Sequence, residues 1–221
     1  MSNSARQHMI KAQIARRGIR DQNILAAMGA VPREDFVGPD FVEYAYDDRA
    51  LPIAEGQTIS QPYIVASMLD AAQLRHGDRV LEVGAGSGYS AAILSRLVAE
   101  VFAIERHASL TITAEERCQA LGYHNIRFRT GDGSKGWPEM APFDAILVAA
   151  SAPDPPVSLK QQLALGGRLV IPVGKNPEQR LIRLTRLDKM NFKQDDLGGV
   201  HFVPLIGAEG WSEAERGRHK P

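Results

Sequence analysis

The chain has 221 residues, 44% of them hydrophobic, and its 26 Lys and Arg balance 26 Asp and Glu. That hydrophobic share suits one folded domain with a sizeable core and excludes a disordered chain. Zero net charge excludes a global field favouring nucleic acid or an anionic membrane, and a single cysteine excludes an internal disulfide or a cysteine metal cluster.

Residues 1–50 read as a helical extension. Met9, Ile10, Gln13 and Ile14 share an i,i+4 face that Gly18 would end. The basic residues from Arg6 to Arg20 lack interleaved aromatics and read as a solvated helix face, not a nucleic-acid patch. Asp21 can cap a second helix through Ile24, Leu25 and Met28 that stops near Val31-Pro32. Residues 51–62 read as a loop, and 64–74 as a helix.

Beyond that point strands and helices alternate. Val80–Val83, Val101–Glu105, Ile126–Thr130, Ala145–Ala149 and Arg168–Val173 read as strands. Tyr89–Val98, Leu110–Leu121 and Pro156–Leu165 read as helices between them. The pattern predicts an α/β, doubly wound, mostly parallel Rossmann-like sheet covered on both faces. Arg180–Leu187 and Val200–Leu205 read as an antiparallel C-terminal edge hairpin, and 208–221 as a weakly ordered tail. The organisation expected is thus one domain: an extension over 1–50, the main unit over 51–207 and the tail. No apolar h-region follows Met1 and no apolar run nears 18 residues, so a soluble cytoplasmic protein is expected. Six dispersed histidines show no i,i+4 pairing, and no metal site is expected. Cys118 lies in a helical segment with no adjacent base and reads as a core side chain.

The stretch Arg79-Val-Leu-Glu-Val-Gly-Ala-Gly-Ser-Gly-Tyr89 carries the chemistry. Strand, tight turn and helix follow one another, with Gly84, Gly86 and Gly88 admitting a ligand close to the backbone. Alone, such a turn is either a nucleoside site or merely tight. Tyr89 fills the position where a dinucleotide fingerprint wants a small residue. Glu82 before the turn disfavours a pyrophosphate but can accept hydrogen bonds from an amine. Glu105 ends the next strand, about 20 residues on, where an acid can chelate ribose hydroxyls. Asp132, in Gly131-Asp-Gly133, closes the third strand. An ammonium, a ribose and an adenine amine without a phosphate describe S-adenosyl-L-methionine. Residues 79–174 accordingly resemble the class I S-adenosylmethionine-dependent methyltransferases, down to Phe143-Asp-Ala-Ile-Leu-Val148 and Leu165-Gly-Gly-Arg-Leu-Val170. A nicotinamide oxidoreductase is opposed by Tyr89 and Asp132, and a non-catalytic binding module by the full set of cofactor groups.

The acceptor is a separate question, since a fold does not name it. Read alone, Ser60 two residues before Pro62 suits a helix N-cap, and no local histidine or acid makes it a nucleophile. Taken together, Arg17-Gly-Ile19, Val31-Pro-Arg-Glu-Asp-Phe36, Ala50-Leu-Pro52, Gly56-Gln-Thr-Ile-Ser-Gln-Pro62, Gly136-Trp-Pro138 and Gly166-Gly-Arg-Leu-Val-Ile-Pro-Val-Gly174 resemble the protein-L-isoaspartate O-methyltransferases over roughly residues 7–207. Two departures are mild, at Ala85 and in Ala149-Ala-Ser-Ala-Pro153; the match fades after Leu205. The resemblance implies methyl transfer from S-adenosyl-L-methionine, leaving S-adenosyl-L-homocysteine, to the free α-carboxylate of L-isoaspartyl peptides and proteins, with no nucleic-acid or membrane partner and a monomeric enzyme. It places Ser60 at the reacting carboxylate and Gln57 and Thr58 beside the cofactor. Glu82 with Gly84, Ala85, Gly86, Ser87 and Gly88 fall at the methionine end, Glu105 at the ribose, and Asp132 with Gly133 at the adenine edge. Trp137 next to the adenine loop reads as packing. A small-molecule methyltransferase is the near alternative, opposed by the Thr58-Ile-Ser-Gln-Pro62 element.

Overall fold

A computed structural model describes residues 2–175 and 177–218. Its frame is a seven-stranded sheet of order β5-β4-β3-β6-β7-β8-β9. The strands are β3 (Arg79–Val83), β4 (Glu100–Glu105), β5 (Ile126–Thr130), β6 (Phe143–Val148), β7 (Leu163–Val173), β8 (Arg180–Arg186) and β9 (Phe192–Gly199). The first five are parallel, and β8 and β9 add an antiparallel edge. A short pair, β1 (Leu51–Pro52) and β2 (Thr58–Ile59), stands apart within the segment read as loop.

Both sheet faces are covered, as the near-continuous apolar runs of β3, β4 and β6 require. Val80, Val101, Ala103, Ala145 and Leu147 face one core, shared with the N-terminal helices, α3 (Pro62–Ala72) and α4 (Tyr89–Ser95). Leu81, Val83, Phe102, Ile104 and Ile146 alternate to the other, closed by Leu159 of α6 (Val157–Gln161). The period of two puts Glu82 on the face of Val80, under α4.

The N-terminal segment runs as α1 (Ser2–His8) through a π turn at Met9–Ile14 to a left-handed Gly18. Met9, Ile10 and Ile14 point into the core. Asp21 caps α2 (Gln22–Ala30), accepting from the N–H groups of Asn23 (2.8 Å) and Ile24 (3.3 Å). The helix between β4 and β5 is α5 (Ala108–Ala120).

Three expectations fail. The helix expected over Pro156–Leu165 ends at Gln161; Leu163 already pairs with Phe143, and Gly166 and Gly167 absorb a register shift before Arg168 meets Ala145. The second hairpin strand is the polar segment 192–199, not Val200–Leu205. As the sheet's edge it keeps mostly solvent-facing side chains, so it carries no hydrophobic signal. Its turn is set by Asp188, whose Oδ1 accepts from the N–H groups of Met190 and Asn191. The apolar residues at 200–205 run instead as an irregular buried segment, clasped by Gln179 through both the N–H (2.7 Å) and the carbonyl (3.0 Å) of Phe202.

The third fails at the start of the tail. Trp211 is buried and its indole N–H donates to the Ser151 carbonyl (2.9 Å). Glu209 accepts from Ser158 N–H (2.9 Å) and from the Ser158 hydroxyl. One large aromatic and one acid anchor a stretch whose composition suggested a loose end; residues 219–221 lie outside the described part. Cys118 is buried against Gly88, and burial pushes its thiol up to about 12, which fits a core side chain. No helix among the described residues is long and apolar enough to cross a membrane.

Candidate active site

The carboxyl ends of β3, β4 and β6, with residues 57–61 and 199–203, enclose a cavity of about 400 Å³. It sits where strand order reverses between β3 and β6, the point at which a parallel sheet leaves a crevice. Ser60, Gln57, Thr58, Glu82, Gly84, Ala85, Gly86, Ser87, Glu105 and Gly133 all line it.

The glycine turn follows β3 with φ of 89°, 54° and 87° at Gly84, Gly86 and Gly88. Four of its N–H groups are engaged within the protein. Gly84 and Ala85 donate to the Ile104 carbonyl (2.8 and 3.2 Å), Gly86 to Glu105 Oε2 (3.0 Å) and Gly88 to the Ala85 carbonyl (2.8 Å). Such a turn presents no cradle of free donors to a phosphate, unlike an anion-binding nest. Glu105 is pinned at both oxygens, its Oε1 accepting from His107 N–H (3.0 Å), yet each oxygen keeps a lone pair.

Glu82 differs. It is 1% exposed, and its Oε2 has no hydrogen-bond partner. Burial pushes its carboxyl up to about 8; the Ser90 hydroxyl opposes the shift and the Glu105 charge reinforces it. A buried, unpartnered carboxyl oxygen in a cavity wall calls for a ligand donor, and a cationic one would hold it ionised. S-adenosyl-L-methionine fits this wall: an amine for Glu82, hydroxyls for Glu105, and no phosphate to meet the two acids.

Two residues expected at the cofactor, Gly88 and Asp132, do not line the cavity. Gly88 sits outside the cavity; a Cβ there would come within 3.2 Å of both Ala114 Cβ and Cys118 Sγ, so its small size lets α4 pack on α5. The Asp132 carboxylate turns to the protein, accepting from the N–H (3.0 Å) and hydroxyl (2.6 Å) of Ser134 and from Ala208 N–H (2.8 Å). Those donors outweigh partial burial and hold it below the usual carboxylate range. At the adenine edge only Gly133 reaches the cavity, and a Cβ there would collide with Val83 Cγ1. Trp137 stays in the core edge-on to Phe102, centroids 5.8 Å apart.

Ser60 lies on the opposite wall and is not a helix cap. Gln61 holds the N-cap position of α3 without a side-chain bond, and Pro62 begins the helix. The cap comes from afar: Asp48 Oδ1 accepts from Tyr63 N–H (3.3 Å) while its Oδ2 pairs with Arg17 (2.6 Å), whose guanidinium lies 3.3 Å from the Tyr63 ring centroid. The segment before Ser60 folds over the glycine turn, with Ile53 Cδ1 3.4 Å from where a Cβ of Gly86 would stand. Glu55, in a left-handed conformation (φ 58°), holds it there by accepting from the Ser109 hydroxyl (2.6 Å).

Sequence reasoning missed the third wall. Gly199 at the end of β9, with Val200, His201, Phe202 and Val203 from the segment expected to be an edge strand, line the cavity. The sequence carried no signal for it: what fixes this wall is Gln179, whose buried amide meets both the N–H and the carbonyl of Phe202 only in the fold.

Residues 3–210 match the family model described as protein-L-isoaspartate(D-aspartate) O-methyltransferase. A Methylorubrum populi protein-L-isoaspartate O-methyltransferase is 56% identical over 210 residues, 95% of this chain and 99% of that one. Its Brucella anthropi counterpart is 52% identical over 210 residues, 95% and 96% of the two chains. Among solved structures, a protein-L-isoaspartate O-methyltransferase superposes with a TM-score of 0.85 at 29% identity, covering 93% of this chain and 67% of that one. A Plasmodium falciparum structure given the same activity, in complex with S-adenosyl-L-homocysteine, superposes at 0.79 with 28% identity, covering 91% and 98%. With the cleft's geometry and these likenesses in agreement, the chain belongs to the protein-L-isoaspartate(D-aspartate) O-methyltransferases, S-adenosylmethionine-dependent enzymes of Rossmann-like fold.

Proposed function

We propose that the cleft holds S-adenosyl-L-methionine along the β3 and β4 ends and passes its methyl group to the α-carboxylate of an L-isoaspartyl residue lying against Ser60. The observation that carries the reading is the unpartnered, buried Glu82 oxygen in the same cavity as Ser60. Glu82 takes the amine, Glu105 the ribose hydroxyls, and Gly133 leaves room for the adenine; Gln57 and Thr58 close the cofactor in from the other wall.

The bound donor supplies a methyl group on a positively charged sulfur. The protein needs no general base, because an α-carboxylate with a pKa near ~3.5 is already ionised at neutral pH. What the residues contribute is alignment and exclusion of water. The Ser60 hydroxyl donates to one carboxylate oxygen and leaves the other free to attack in line. Alignment of this kind supplies on the order of 7–11 kcal/mol at best. The 50–61 segment and residues 199–203 close the cavity from two sides, so opposite charges approach each other away from bulk water.

Tritium-methyl transfer to an isoaspartyl peptide, with its aspartyl twin as control, tests the acceptor. Labelling of the isoaspartyl peptide alone is expected; equal labelling of the twin would overturn the reading.

A further inference from the structure

Arg33 is the largest fully buried side chain among the described residues, 0% exposed. It lies in the turn at Arg33–Phe36, outside the cavity. Its Nε donates to the Ala45 carbonyl (2.7 Å) and its Nη2 to the Ser60 carbonyl (2.9 Å). Its guanidinium carbon lies 4.8 Å from the ring centroid of Tyr89, the residue that follows the glycine turn. Among the described residues no carboxylate pairs with it, and neither its Nη1 nor the buried Tyr89 hydroxyl makes a hydrogen bond of good geometry. One side chain thus touches both walls of the cleft: the backbone of Ser60 and the first residue of α4.

Stability does not account for this arrangement. A buried guanidinium without an ion pair costs free energy that an apolar side chain of similar volume would avoid. Burial in fact weakens its hold on its proton, though the Tyr89 and Tyr46 phenol groups and Asp48 oppose that effect. What an apolar residue cannot supply is a rigid fork of donors at fixed angles. Here that fork fixes the carbonyl of the residue whose hydroxyl faces the cavity, and references it to the glycine wall.

We propose that Arg33 is a positioning residue for methyl transfer, acting through Ser60 by fixing its backbone relative to Tyr89. The inference rests on the role given to Ser60 above. A side-chain hydroxyl displaced by about 1 Å is enough to lower turnover by up to about 100-fold. Loss of the fork therefore shows in kcat toward an isoaspartyl peptide, not in affinity for the methyl donor.

The test is a double-mutant cycle on the full chain, with kcat measured at saturating S-adenosyl-L-methionine, its Kd by calorimetry, and Tm. Arg33→Lys keeps the charge and loses the fork; Arg33→Met loses both. Each is expected to lower kcat about 10- to 100-fold with the donor's Kd within about threefold. In a Ser60→Ala background the same changes lower kcat by less than about twofold, since the hydroxyl they position is gone. Equal losses in both backgrounds, or a loss confined to the donor's Kd, overturn the proposal. So does failure of both variants to fold, which would make Arg33 a structural residue. A Ser60→Ala variant with full kcat refutes the role of Ser60 itself, an outcome separate from the others.

Discussion

The two long walls of the cleft are built in opposite ways. The glycine wall is local: within residues 82–89 a turn folds on the end of β4, four of its donors engaged by Ile104, Ala85 and Glu105, and Glu82 is left with an unpartnered oxygen in the cavity wall. The Ser60 wall is held by residues far away in the chain, with Arg33 on its carbonyl, Asp48 on the next turn of helix and Glu55 bridging to Ser109. A wall pinned within itself presents a fixed charge pattern to the donor. One pinned at a distance places a hydroxyl with little intrinsic structure of its own. Substitutions on the first should act on donor binding, and on the second on turnover.

The largest effect is expected from Glu82→Gln. Removing the ionisable partner of a buried cation typically costs 2–5 kcal/mol, so affinity for S-adenosyl-L-methionine should fall by about 30-fold or more in calorimetry. The free protein should behave oppositely. The Glu82 carboxyl is raised from 4.5 to about 8, so its contribution to stability is complete below the unfolded value and lost as pH rises through about 8. Glu82→Gln should therefore raise Tm at pH 8 and change it little at pH 4. An unchanged affinity would end the assignment of Glu82 to the amine.

Ser60→Ala comes next, with kcat down about 10- to 100-fold by loss of one aligned hydrogen bond and the donor's Kd unmoved. A variant weak in donor binding and normal in turnover would erase the contrast between the walls.

pH separates them again. Glu82 must be ionised to hold a cation, and below about 8 it is mostly protonated in the free cleft. Donor binding should release a proton, and affinity should rise by up to about tenfold per pH unit between 6 and 8, then level off. The acceptor carboxylate is ionised throughout that range. Calorimetry in buffers of different ionisation enthalpy reads the proton directly, and Glu82→Gln should abolish the slope.

The same division explains what could be read from the amino-acid order. Strand, turn and acid at 79–89, and Glu105 at the end of the next strand, are contiguous signals, and the structure brings them to one cavity. Ser60 was legible only through family resemblance, because a serine before a proline looks like a cap, and Asp48 supplies that cap from 15 positions away. Arg33 carries no local sign of being buried; only tertiary packing puts Ala45, Ser60 and Tyr89 around it. Asp132 at the third strand end looked like a ligand, but donors from Ser134 and Ala208 meet its carboxylate. In the hairpin a solvent-facing edge had no apolar pattern, while the apolar run after it belonged to an irregular cavity wall.

The smallest effect tests the Ser60 wall at its far support. Asp48 is partly exposed, so its pair with Arg17 is worth little in itself. Its second bond, to Tyr63 N–H, satisfies one free donor at the start of α3. Removing a cap costs about 1 kcal/mol, or roughly 2–4 °C for a chain of this size. Asp48→Ala should lower Tm by that amount and let the first turn of α3 loosen just beyond Ser60. Arg33 still holds the Ser60 carbonyl, so kcat should fall only about two- to threefold, with the donor's Kd unchanged. Asp48→Asn keeps an acceptor for Tyr63 and loses the ion pair, and should restore most of both values. If Asp48→Asn is as impaired as Asp48→Ala, the Arg17 pair and not the cap supports that wall.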